Sequence, residues 1–416
     1  MASDRMRIAI IGGGLAGASL ANALIQLPHL DIHVYESAPE FSERGAAVGL
    51  ASNTQRALQH ILPSAKEILR KAGAVSLNSS RAMIGSGPEA GTIIFDIESG
   101  KDGLVVHRAS LLRELLIPLP KDVLHANKKL TSIHRTDAGV EISFQDGSTE
   151  QFDGVIGADG VFGSVRKHVL KDSNEWSASP SGFWDSRNLV PFEKARDIIG
   201  KEYFEVDRQI GWLGDGAYLM HDVLENRTVV QCVMSGIDRE TPKDRKHALT
   251  RENLTEELHG WLDGPIAKNM IELLLDQPNP EGYSSFEHKA TSSYANGRTC
   301  IIGDAAHAMT PWQGAGAGQA IEDAVILGTV LGAISCPEEI DAAFKAFDTI
   351  RRPRCQRIID SSRGTGEIFC GRNPDVGLDL QKLREALSVR WRFIHDIDLS
   401  AHKEEALGKL REFQEV

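Results

Sequence analysis

The chain of 416 residues is 41% hydrophobic and 25% charged, a globular composition with length for two or three domains and a large core. Asp and Glu outnumber Lys and Arg by 58 to 46, a formal net charge of −12, which argues against a surface for nucleic acid or anionic membrane, where basic side chains must concentrate. Cys232, Cys300, Cys336, Cys355 and Cys370 are widely spaced and form no CxxC pair, which fits a reducing compartment and neither a zinc nor a disulfide framework, so no metal is expected.

The amino-terminal MASDRMR lacks an apolar h-region, and the longest apolar stretch, Ala324 to Ile334, is too short to span a bilayer. A soluble, cytoplasmic protein is expected. The segment RIAIIGGGLAGASLANALIQLPHLDIHVYE, Arg7 to Glu36, opens with an apolar run that reads as a strand buried on both faces. Gly12 permits a tight turn, Gly14 lets a phosphate approach the backbone, and Gly17 lets the next helix pack on the strand. That helix offers free N–H groups and a positive dipole end to a pyrophosphate. Ile32 to Tyr35 reads as the second strand. Glu36, 19 residues after Gly17, stands where a carboxylate accepts hydrogen bonds from ribose hydroxyls and repels a 2′-phosphate, so FAD or NAD is favoured over NADP.

Ser42 to Leu58 reads as a glycine-containing loop feeding a helix, followed by a less regular stretch to Gly103. LVVHRASLLRELL reads as a strand running into an amphipathic helix, with Arg108 at the junction. The stretch from Thr131 predicts a β-meander with turns at Asp137–Gly139 and Asp146–Gly147, ending in a buried strand. From Asp172 to Glu287 aromatics thicken and an antiparallel hairpin is expected to turn at Glu225–Arg227. RTCIIGDAAHAM resumes the buried-strand style, and helical patterns dominate from Gly314 onward. The cluster RRPRCQR, Arg351 to Arg357, predicts a solvated helix start with Pro353 in its first turn. These shifts divide the chain into a discontinuous dinucleotide-binding domain (1–75, 104–171 and 288–366), a substrate domain (76–103 and 172–287) and a helical carboxyl-terminal region (367–416).

Three motifs in this order, Gly12–Gly14–Gly17, DGVIGADGVFGSVR (Asp153 to Arg166) and IIGDAAHAMTPWQGAGAGQAIEDA (Ile301 to Ala324), resemble the single-component aromatic-ring flavin monooxygenases, the group of salicylate and para-hydroxybenzoate hydroxylases. RRPRCQRIIDSSRGTGEIF and VRWRFIHDIDL look most like the fungal salicylate-hydroxylase-type branch. The resemblance implies an α/β fold: a discontinuous Rossmann-type FAD-binding domain, an inserted antiparallel-sheet substrate domain and a helical carboxyl terminus. It implies tightly bound FAD, transient NAD(P)H, O2 and a phenolic substrate hydroxylated through a flavin C4a-hydroperoxide, with salicylate-type loss of carbon dioxide as one outcome. Dearomatisation or epoxidation of a polycyclic metabolite stays open, as does a non-catalytic flavin-binding role. A monomer or homodimer is expected.

Residue by residue, the resemblance places Asp304 on the ribityl chain. Pro311, Gly314, Gly316 and Ala317 fall on the loop whose N–H groups face the flavin ring. Gly49 and Ala317 become close-approach positions, Arg108 lies near FAD, and Asp159 with Gly160 forms a second fingerprint. His307 reads as structural. Gly163 stands where relatives often carry Ser, with Ser164 one position late, and Ala315 replaces a Gln. For the substrate, Arg187 occupies the place of an Arg that could hold a phenolate or carboxylate. His221–Asp222 stands where relatives have Tyr-Pro. Leu219, His221 and Val223 share one strand face, and Tyr218 and Met220 the other. If the pocket face is unchanged, His221 replaces that Tyr, and Arg187 and His221 are the expected catalytic pair, sharing one pocket; whether His221 or Tyr218 faces the substrate stays open.

Overall fold

The computed structural model describes residues 5–42, 47–76, 79–98, 103–171, 174–224 and 227–415. Met6–Ile11, buried except at Arg7, runs through the middle of a six-stranded sheet, parallel to Gly154–Gly157 on one side and Leu30–Tyr35 on the other. Ala295–Asn296 and Thr299–Ile301 extend one edge, and Leu124–His125 the other. Both faces are covered, which is why the strands are continuous apolar runs rather than alternating ones. Helix Leu15–Leu24 packs against helix Gly316–Leu331. The meander appears as Leu130–Thr136, Gly139–Phe144 and Thr149–Phe152, all antiparallel.

The second large sheet has eight strands in the order Lys246–Ala248, Glu281–Glu287, Ser179–Pro191, Val229–Ile237, Ala217–Leu224, Gln209–Leu213, Ser79–Ile84 and Ile93–Glu98. The stretch before Gly103, less regular in sequence, thus supplies two of its strands. Pairing is antiparallel except between Gln209–Leu213 and Ser79–Ile84, which run parallel. Residues Glu225 and Asn226 of the expected hairpin turn, and Glu43–Ala46 of the glycine-containing loop, lie outside the described residues. One sheet face is sealed by an apolar core of Trp184, Trp212, Leu219, Cys232 and Met234 with Trp261, Met270 and Leu274 from the covering helices. The mixed α/β class with a parallel nucleotide sheet and a helical carboxyl terminus agrees with the sequence.

The arginine cluster does not. Arg351 and Pro353 lie inside a 30-residue helix, Ile340–Phe369, and Arg351 is fully buried. Pro353 is tolerated there because it sits on the exposed side, where water can hydrate the carbonyl its missing N–H leaves free. Arg351 turns inward because acids wait for it on helix Gly316–Leu331: it donates to Glu322 at 2.8 Å and to Asp323 at 2.8 Å. Leu380–Ser388, Arg392–His395 and Leu399–Gln414 complete the carboxyl-terminal region, the first packing on strand Ile93–Glu98. Among the described residues no helix is long and apolar enough to cross a membrane.

Candidate active site

A cavity of about 1910 Å³ opens between the carboxyl ends of the parallel strands and the uncovered face of the eight-stranded sheet. On the nucleotide side each glycine has its own reason. Gly12 sits at φ +110°, and a Cβ there would lie 2.2 Å from the Ala158 carbonyl oxygen. Gly17 lies beneath the cavity, where a Cβ would come within 2.0 Å of the Gly12 oxygen. Gly14 lines the cavity as the extended residue before helix Leu15–Leu24, and no side chain caps that helix start. Its first N–H groups therefore face the cavity. Glu36, at the end of the second strand, accepts hydrogen bonds from the Gly13 N–H at 2.9 Å and the Ala38 N–H at 2.8 Å, which fix its carboxylate on the cavity rim.

The opposite rim comes from the third motif. Asp304 begins the short helix Asp304–His307 and is exposed on the cavity wall. Pro311 starts a 3-10 turn closed by Gly314 in the left-handed region, and helix Gly316–Leu331 begins two residues later without a side-chain cap. Pro311, Gly314, Gly316 and Ala317 all line the cavity, as do Gly49, Arg108 and Asp159. Asp159 is folded back: its Oδ2 accepts from the Val165 N–H at 3.1 Å and the Ser164 hydroxyl at 3.3 Å. A Cβ at Gly163 would lie 2.2 Å from Asp159 Oδ1, which accounts for glycine at that place and the hydroxyl one position later.

Behind this rim Asp323 accepts from the Gly303 N–H at 3.0 Å, His307 Nε2 at 2.6 Å and Arg351 Nε at 2.8 Å. Burial works to raise the Asp323 carboxyl, but His307 and Arg351 together bring it below its ordinary value. His307 is fully buried in this network and does not reach the cavity, in keeping with a structural role.

On the substrate side the strand phase corrects one expectation. His221 points away from the cavity into the core, where it accepts a hydrogen bond from Trp212 Nε1 at 3.4 Å beside the rings of Tyr203 and Phe204. Burial pushes its imidazole down to about 3, so it stays neutral. Tyr218, Met220 and Asp222 face the cavity instead. The Tyr218 ring stacks on Phe369 at 4.9 Å, with Trp312 edge-on at 5.7 Å, and its hydroxyl lies over Gly211, where a Cβ would be 2.4 Å away. Arg187 does reach the cavity, though 40% exposed and paired with Asp185 at 3.0 Å. Arg187 and His221 are therefore not brought together. The row Leu219–His221–Val223 is apolar apart from the histidine, and that signal marks the core face.

Residues 5–362 match the family described as FAD binding domain. The 6-methylsalicylate 1-monooxygenase atA of Aspergillus terreus is 34% identical over 421 residues, covering 98% of this chain and 92% of its own length. A salicylate hydroxylase of Pseudomonas putida is 32% identical over 411 residues, covering 94% of this chain and 93% of its own. Among solved structures, a salicylate hydroxylase substrate complex shares the fold with a TM-score of 0.86 at 24% identity, covering 97% of this chain and 98% of that one. Klebsiella pneumoniae HpxO complexed with FAD and uric acid does so at 0.75 and 23%, covering 97% of each chain. The cradle fits the cofactor: a Cβ on Gly49 would meet no protein atom within 4 Å, so packing does not demand that glycine and the open side belongs to the cavity. Two uncapped helix starts and two rim carboxylates supply the donors and acceptors a flavin dinucleotide needs. The chain belongs to the FAD-binding-domain family and is an FAD-dependent monooxygenase of the salicylate hydroxylase type.

Proposed function

We propose that this enzyme hydroxylates a phenolic aromatic with NAD(P)H and O2, and that an ortho-hydroxybenzoate, hydroxylated with loss of carbon dioxide, is its substrate type. The observation that carries the reading is the continuity of the cavity from the glycine-lined cradle to a sheet face walled by Tyr218, Trp312 and Phe369 and edged by Arg187. The names of the two relatives support the salicylate class. FAD, when bound and reduced, supplies the electrons and activates oxygen. The chain does the rest: Glu36, Asp304 and the start of helix Gly316–Leu331 hold the cofactor, with Arg108 beside it. The aromatic walls exclude water and orient the ring, and Arg187 aligns an anionic group.

Salicylate and 6-methylsalicylate added to the purified yellow protein should accelerate NADH or NADPH oxidation and yield a product of the mass expected for oxygen gain and loss of carbon dioxide. No acceleration by any phenol, with FAD bound, would overturn the reading. Asp304→Ala should weaken FAD at least about tenfold, since one hydrogen bond to a charged group contributes about 1.5–3 kcal/mol; unchanged flavin content after dialysis would remove Asp304 from the site. Arg187→Ala should keep FAD. Because Arg187 is partly exposed and shared with Asp185, the loss in product formation should be about 1–2 kcal/mol, roughly 5- to 30-fold, with hydrogen peroxide rising in compensation.

A further inference from the structure

One polar row crosses the cavity face of the eight-stranded sheet. Asp222 stands in it on strand Ala217–Leu224, opposite Gln231 in the register and beside Gln209, all three lining the cavity. Asp222 is only 4% exposed, and among the described residues no ion pair reaches it. Resting on the reading of a phenolic substrate, we infer that the Asp222 carboxylate is the catalytic proton acceptor for the substrate hydroxyl.

The neighbours leave this task to no other group. Gln209 and Gln231 do not titrate. Tyr218, four residues earlier on the same face, is raised well above its ordinary value by burial and by the Asp222 charge, so it remains a neutral donor. Arg187, from strand Ser179–Pro191, is a permanent cation engaged by Asp185. His221 lies on the other face. Asp222 itself is pushed up to about 7 by burial, opposed by the Val223 N–H, which suits a base working near neutrality. The balance is simple: the hydroxyl O–H bond breaks, its proton passes to a carboxylate oxygen, and the electron pair left on oxygen drives the ring toward the new C–O bond. The O–O bond of O2 breaks, one atom entering the ring and the other leaving as water with two electrons from NAD(P)H and protons from solvent. The attacked ring carbon gives up its hydrogen as a proton, or its carboxylate as carbon dioxide, which restores the aromatic ring, and the aspartic acid returns its proton as the hydroxyl re-forms.

The test uses the FAD-loaded enzyme with 3-methylphenol and its ring-fluorinated analogues, whose hydroxyls become more acidic with each fluorine. In the wild type, product formed per NAD(P)H should fall as pH drops through about 7, at the same pH for every phenol. A limb that instead follows each phenol's own ionisation would overturn the assignment. Asp222→Asn should abolish the limb, lower oxygenation of 3-methylphenol roughly 100-fold at neutral pH, and leave the most acidic analogue within about threefold of wild type. Wild-type rates and profile in that variant would likewise overturn it. Binding gives a readout free of turnover. Followed by the visible flavin spectrum, 3-methylphenol should bind the wild type about fivefold more weakly at pH 5.5 than at pH 8, because the protonated carboxyl is the poorer acceptor, and Asp222→Asn should show no such dependence. This pH dependence without oxygenation of any phenol would refute the proposed reaction and leave Asp222 as the acceptor. Equal binding at both pH values would refute Asp222 whatever the reaction. Should Asp222→Asn fail to hold FAD, the two wild-type measurements decide.

Discussion

Arg351→Met should destabilise the enzyme by about 3–5 kcal/mol, the usual consequence of stranding buried charges. Arg351 is fully buried and serves Glu322, Asp323 and the Gln319 side chain, each at 2.8 Å. Arg354 still reaches Glu322 at 2.8 Å and His307 still pairs with Asp323, so neutralisation is incomplete rather than lost. Asp323 also anchors the Gly303 N–H, immediately before Asp304, so the variant should release FAD more readily as well as unfold earlier. Urea unfolding and flavin content after gel filtration measure the two effects. A loss under about 1 kcal/mol would show that Arg354 and His307 suffice.

Two glycines of the cradle should fail in opposite ways. Gly12→Ala forces a side chain onto a backbone at φ +110° and against the Ala158 carbonyl, so the turn itself must move. FAD affinity should fall at least 100-fold, about 2.7 kcal/mol, and the apoprotein should melt earlier. Gly49→Ala, whose methyl group meets no protein atom, should leave the apoprotein within about 0.5 kcal/mol of wild type while weakening FAD. Thermal melts of both apoproteins beside FAD titrations separate the cases. An apo Gly12→Ala as stable as wild type would contradict the steric account.

The fold of the first strand–turn–helix–strand unit was legible because its constraints are local. Gly12, Gly17 and Glu36 act within one strand–turn–helix–strand unit, where spacing fixes geometry. Strand alternation likewise showed that Tyr218 shares a face with Met220, and His221 with Leu219. It could not show which face meets the cavity, since both faces carry large apolar and aromatic side chains, one set lining the cavity and the other packed in the core around Trp212 and Trp261. The buried arginine was hidden for a different reason. Arg351 looks solvent-bound beside Arg352 and Arg354, and its partners Glu322 and Asp323 lie one helix earlier, joined to it by tertiary packing that no local pattern announces. The Gly163–Ser164 departure shows the same limit, because its cause is the folded-back carboxylate of Asp159.

The strand order of the parallel sheet also governs how the chain is born. Gly154–Gly157 takes Thr299–Ile301 as its outer neighbour, with six of the eight strands of the other sheet between them in the chain. At ribosomal speeds of about 5–20 residues per second, the inner strand waits on the order of ten seconds for its partner, one edge unpaired. Asp304 and the Pro311–Ala317 turn emerge later still, so one whole rim of the cradle is missing throughout that interval. With one rim of the cradle still unmade, the nascent half-sheet relies on its own hydrophobic collapse until the second crossing is made.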